Sequence, residues 1–159
     1  VYIKVEKNKN IRENWLMRDA SAISRFGFIF MGKALKEHNV SGGDHGTIMF
    51  LSKHPQVNQD FISHRTMLDK ATIAKSLARL EEQGLVMREV DPNNKRAKII
   101  SLTEEGEKIV NIVEDALDTW SKQVTEGLTE QEVQKFTALA AKIARNARSL
   151  VHEGHCKCD

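Results

Sequence analysis

Cysteine is almost missing from this chain: of 159 residues only Cys156 and Cys158 carry a thiol, both within the last four positions. A disulfide across so short a spacing would close almost no loop, so the fold is not expected to depend on one. Two prolines and nine glycines are too few for a collagenous or disordered chain. No run approaches the roughly 18 to 20 apolar residues that span a bilayer; the apolar stretch Phe26–Met31 is followed at once by Gly32 and Lys33. Val1–Asn10 is polar and holds no apolar secretory core, so a cytoplasmic location without a membrane partner is expected. Catalytic signatures are missing too: there is no Gly-x-Ser-x-Gly elbow, phosphate-binding glycine loop or His-Glu-x-x-His helix. Asp44, His45 and His54 are neighbours in sequence, as are Ser63 and His64, but adjacency makes no catalytic pair, and an enzyme is not expected.

What is present suits one full-sized core, with 40% hydrophobic residues and a length that favours a single domain. The net charge of +2 is too small by itself to identify a nucleic-acid binder. Its distribution says more. Residues 1–102 carry 17 Lys and Arg against 11 Asp and Glu, whereas residues 103–159 carry 7 against 11. An acidic C-terminal part repels phosphate, so a duplex is expected to meet the middle of the chain.

The apolar spacing predicts helices first. Asn10 with Glu13 has capping-box spacing, and Trp15, Leu16, Ala20, Ile23, Phe26 and Phe30 recur at helical intervals as far as His38. Ser41 with Asp44 repeats the signal ahead of a short helix on Ile48, Met49 and Leu51, and a third helix falls within Val57–Met67 around Phe61 and Ile62. Asp69 is placed to cap a helix over Lys70–Gln83 with Ile73, Leu77 and Leu80 inward, and Gly84 to end it. Alternation then predicts two strands, Val86–Val90 and Ala97–Leu102, joined by a charged six-residue loop, Asp91–Arg96. Thr103 opens a helix through Ile109 and Trp120, and Thr129 with Glu132 opens another through Phe136, Ile143 and Ala147. The class expected is mainly α with a small antiparallel β-ribbon (α+β).

The stretch Leu68–Thr103 points to DNA. A helix can enter the major groove when its outer side chains are short or cationic and its inner face is anchored, and Lys70, Ala71, Thr72, Lys75, Ser76 and Arg79 offer that combination. Lys95 and Arg96 at the ribbon tip can reach phosphate or the minor groove, with Asp91 bracing the tip by pairing with Arg96 or accepting loop N–H groups. Each feature alone is also what a solvated helix face or an ordinary charged hairpin would show; the two in this order are more specific. A winged protein-interaction module without DNA affinity is the other class, marked by those cations being buried or dispersed.

In these segments the sequence resembles the MarR family of winged helix-turn-helix regulators. The resemblance is carried by Asp69-Lys70-Ala71-Thr72-Ile73, by Leu80–Arg88 with its Glu-Glu-Gln-Gly-Leu run, by Asp91–Ala97 and by Leu102-Thr103-Glu104-Glu105-Gly106, and extends weakly over nearly the whole chain. It implies a winged helix-turn-helix in residues 41–102, helical dimerisation regions in 10–38 and 104–152, a flexible tail in 153–159, and a homodimer on an inverted repeat in double-stranded DNA. Asn94 stands where family wings usually carry Asp, and Lys95 where they often carry Arg, so weaker bracing and phosphate binding rather than base readout are expected of the wing. The family also implies a repressor that needs no cofactor and releases DNA when a small aromatic or phenolic acid enters a crevice. Trp15, Arg18, Phe26, Phe30, His45 and Met49 are the ligand-binding candidates, an aromatic wall with a cation. His152, His155, Cys156 and Cys158 are donor types that suit zinc, but their crowding lacks separated ligand pairs, and a disordered tail is the plainer reading. Peroxide-sensing relatives use a cysteine near the N-terminus, and zinc-sensing relatives use histidines where this chain has Glu107, Lys108 and Asn111. A metal- or redox-responsive regulator is therefore the less favoured alternative.

Overall fold

A computed structural model of the chain describes residues 15–66, 68–92 and 94–152, apart from the side chains of residues 15–17, 96 and 152. Asn10 and Glu13 lie outside the described residues. Helix α1 runs over Trp15–Ala34 and stops four residues short of the expected His38. The reason is local: Lys36–His38 tightens into a 3-10 turn, and Asn39 takes the left-handed conformation, φ 57°, with its N–H on the Lys36 carbonyl. Helix α2 is His45–Lys53. Ser41 does not cap it; its hydroxyl accepts the Gly43 N–H at 3.2 Å and builds the turn ahead of the helix. Asp44 occupies the N-cap position, but its carboxylate is used elsewhere and makes no cap bond.

Helix α3, Gln59–Arg65, is capped by Asn58, whose side chain accepts the Phe61 N–H at 2.8 Å. Helix α4, Lys70–Glu82, is capped by Asp69 as the sequence predicts, and Gly84 ends the turn beyond it with φ 71°. Strands β1, Val86–Asp91, and β2, Asn94–Leu102, pair antiparallel from Val86↔Leu102 to Val90↔Lys98, with an irregularity before Asp91↔Asn94. The expected six-residue loop is shorter than predicted, since β1 runs to Asp91 and β2 begins at Asn94, with residues 95–97 taken up in the register shift. A bridge between Val57 and Ile100 ties the ribbon to the segment ahead of α3. Helix α5, Glu104–Val124, starts at a Thr103 cap, and α6 is Glu130–His152 behind a Thr129–Glu132 capping box with Thr129 N to Glu132 Oε2 at 2.8 Å.

The core gathers inward side chains from the winged unit and from α1 and α5: Met31, Ile48, Ile62, Ile73, Leu77, Leu80, Ile100 and Val113 are all essentially sealed from solvent. Two glycines permit backbone to meet backbone. A Cβ on Gly42 would lie 1.9 Å from the Phe28 carbonyl oxygen of α1, and one on Gly106 would lie 2.1 Å from the Leu85 carbonyl oxygen. The first contact seats the turn before α2 on α1, and the second seats α5 on the end of α4. By contrast α6 packs extensively against no other element, and Phe136, Leu139 and Ile143 along it remain exposed, as do Ile23, Phe26 and Ile29 on α1. Among the described residues, no helix is long and apolar enough to cross a membrane.

Candidate nucleic-acid interface

Helix α4 is held at its start, its middle and its end. At the start, Asp69 Oδ1 accepts the Thr72 N–H at 2.9 Å and Oδ2 accepts the Thr72 hydroxyl at 2.6 Å. These bonds hold the Asp69 carboxyl below the usual carboxylate range. Lys70 Nζ meets Asp60 of α3 at 2.8 Å, and that bond lowers the Asp60 carboxyl likewise. At the end, Gln83 donates to the Asn39 carbonyl at 2.6 Å, and Thr103 donates to that of Gly84 at 2.6 Å.

In the middle, two polar rungs join α2 to α4. Thr47 and Ser76 share a hydrogen bond of 2.9 Å between buried hydroxyls. Asp44 and Arg79 form a two-pronged ion pair, Nε to Oδ2 at 2.9 Å and Nη2 to Oδ1 at 2.6 Å, with the carboxylate fully buried and the arginine side chain 45% exposed. The Asp44 bond raises the already high pKa of Arg79. The pairs are stacked, three residues apart on each helix.

These rungs bear on two expectations, and the first is corrected. Ser76 does not face outward: it follows Ile73 by three residues and precedes Leu80 by four, so helical geometry puts it on their buried stripe. Its polarity suggested a groove contact, and Thr47 satisfies that polarity instead. Arg79 reaches the surface, yet its guanidinium fork is committed to Asp44. Ala71, Thr72, Lys75 and Ala78 stand exposed on the outer face, with Lys70 and Glu82 exposed at its two ends. Among the described residues Lys75 forms no ion pair. Ala78 was missed in the sequence reading, although it continues the stripe of Ala71 and Lys75 at steps of four and three.

On the ribbon, Lys95 is exposed, and so is Lys98, a second wing cation that the sequence reading passed over. Asp91 is half-buried opposite Asn94; the Arg96 side chain lies outside the described residues. Five of the six ligand candidates have described side chains, and none of the five lines the groove beside α1. Arg18 pairs with neighbouring Asp19 at 2.8 Å, Phe26 lies exposed with Arg25 over its ring at 5.0 Å, and Phe30 tilts against Trp120 at 5.3 Å. His45 bonds to the Gly42 carbonyl at 2.5 Å, Met49 packs on the core, and the Trp15 side chain is outside the described set. An open groove of 680 Å³ does lie beside α1, lined by other residues, among them Ser21, Ser24, Arg25, Phe28 and Gly42. No cluster of three metal-ligating side chains occurs among the described residues; of the proposed tail ligands, His155, Cys156, Cys158 and the His152 side chain lie outside them.

A helix-turn-helix made by α3 and α4, a wing made by β1 and β2, and long terminal helices define a winged helix-turn-helix protein with extra helical arms. The model of the MarR family matches residues 38–97. The transcriptional regulator HosA of Escherichia coli O111:H- is 34% identical over 93 residues, which are 58% of this chain and 69% of that protein. The crystal structure of MarR is 30% identical with a TM-score of 0.73, over 84% of this chain and 97% of that one. A MarR family regulator from Listeria monocytogenes, complexed with 26mer DNA, shares the fold at 21% identity and a TM-score of 0.78, over 90% of this chain and 97% of that one. The chain belongs to the MarR family of transcriptional regulators, which are not enzymes.

Proposed function

We propose that the protein is a cytoplasmic homodimeric repressor that occupies a pseudo-palindromic operator in double-stranded DNA. The observation that carries this reading is the outer face of α4: small or cationic side chains, Ala71, Thr72, Lys75 and Ala78, stand outward on a helix clamped from inside by Asp44 and Thr47. Lys75 is the candidate for guanine edges, Thr72 for base or phosphate, and the alanines allow close approach. Lys70 at the helix start and Lys95, Lys98 and Arg96 on the wing would hold phosphates, and Arg79 would act by setting the rotation of α4. The exposed apolar stripes of α1 and α6 support a two-fold dimer, which would place two copies of α4 about one helical turn apart.

The reading includes control by a small aromatic or phenolic acid. The groove beside α1 supports this, since it offers an aromatic ring, two hydroxyls and the Arg25 cation on the α1 side of the turn that carries Asp44. The test is selection of bound duplexes from a randomised pool, with affinity followed against salt. An enriched inverted repeat is expected, with log affinity falling by about 0.9 per phosphate contact for each decade of salt. Binding without enrichment of any sequence would overturn the operator reading.

A further inference from the structure

Among the described residues, one hydrogen bond leads from α6 to another element, from Arg148 Nη2 to the carbonyl oxygen of His64. That carbonyl lies in the last turn of α3, where helix carbonyls have no helical N–H to accept from. Around the bond is an open cleft of 710 Å³, with Leu68, Asp69 and Lys70 on one wall and Ala144, Ala147 and Val151 on the other. Because the cleft is unfilled, side-chain packing does not hold its walls together; the guanidinium crosses it. Arg148 has no carboxylate partner among the described residues, so the bond is not a by-product of a surface ion pair.

The position of this crossing gives it leverage. Helices α1 and α5 share the core of the winged unit, whereas α6 packs extensively against no other element and joins α5 only through residues 125–129, which act as its pivot. The Arg148 bond reaches the winged unit at the turn that introduces α4. A body held at a pivot and at one further point no longer rocks freely. We infer that Arg148 is a positioning residue that fixes the setting of α4 relative to α6, and so sets the half-site spacing the dimer accepts. The spacing part rests on the dimeric operator reading; the positioning part does not.

The positioning is tested without DNA. Nitroxide labels are attached after Lys98→Cys and Lys142→Cys, in a chain carrying Cys156→Ser and Cys158→Ser, diluted with excess unlabelled chain so that distances within one chain are read. The wild-type background gives a narrow distribution, Arg148→Met broadens it, and Arg148→Lys, which keeps a donor, narrows it again. An equally narrow distribution in Arg148→Met overturns the inference. The spacing is tested on the selected operator with one base pair inserted at its centre, which shifts a half-site by about 3.4 Å and turns it by about 36°. Wild type should lose about tenfold or more in affinity, as for a mismatched site, and Arg148→Met only about threefold. An unchanged penalty, or a salt slope reduced by about 0.9 as for a lost phosphate contact, counts against it. If wild type enriches no inverted repeat while the label widths still follow residue 148, the operator reading fails and the positioning role stands.

Discussion

Removing Arg79 and removing Asp44 break the same ion pair but leave different groups behind. Arg79→Met strands a carboxylate that is 0% exposed, and both its oxygens lose their donors. Breaking a buried pair in this way costs about 3–5 kcal/mol. With the arginine side chain 45% exposed, the pair sits at the edge of the core, and the lower end, about 3 kcal/mol, applies. Asp44→Asn leaves a guanidinium that can turn to water, so the loss is that of charge-assisted hydrogen bonds, about 1–2 kcal/mol. The double variant has no stranded charge and should resemble Asp44→Asn, giving a coupling of about 3 kcal/mol. Urea unfolding at fixed protein concentration reads these values, with Arg79→Met lowering the midpoint by roughly 1–2 M at unchanged slope. If Asp44→Asn proves as destabilising as Arg79→Met, or if the double variant is the sum of the two, the argument from unequal burial is wrong.

Glycine substitutions should separate close backbone contact from mere flexibility. Gly42→Ala drives a Cβ to 1.9 Å from the Phe28 oxygen and should cost about 2 kcal/mol or more, whereas Gly46, with nothing within 4 Å of a Cβ, should gain a few tenths to about 1 kcal/mol as Ala; both are read from thermal unfolding. On DNA, Lys95→Ala should weaken cognate and scrambled duplexes alike and cut the salt slope by about 1, while Lys75→Ala should cost about 1–3 kcal/mol on the cognate site only; anisotropy titrations in two salts distinguish them, and equal losses on both duplexes would remove Lys75 from base readout. Because its bonds to Thr72 depress the Asp69 carboxyl, the stability it adds is present above the unfolded pKa, about 4, and is lost as pH falls through the folded value. The advantage of wild type over Asp69→Ala should therefore shrink in acid, and an advantage that grows on acidification contradicts the sign.

The elements most legible in the sequence were those fixed by neighbouring residues. Asp69 and Thr103 cap by bonding three residues ahead, and Thr129 with Glu132 closes a box, so the starts of these helices depend on local chemistry. Cap spacing misled at Ser41, where the same residue types build a turn. Strand ends misled because charge signalled a loop at Asp91–Arg96, whereas backbone pairing depends little on the side chains outside it. In the site, Lys75 and Thr72 stood where helical spacing puts them. Ser76 was misplaced by weighing its polarity over its angle on the helix. The Asp44–Arg79 and Arg148–His64 contacts join residues 35 and 84 positions apart, and no local pattern records them.

The most direct test of α4 as the reading helix is hydroxyl-radical footprinting on the selected duplex. Two protected patches on one face, related by a dyad and centred about one turn apart, are predicted for two winged units in successive major grooves. A single patch, or even protection along the whole duplex, would contradict the account.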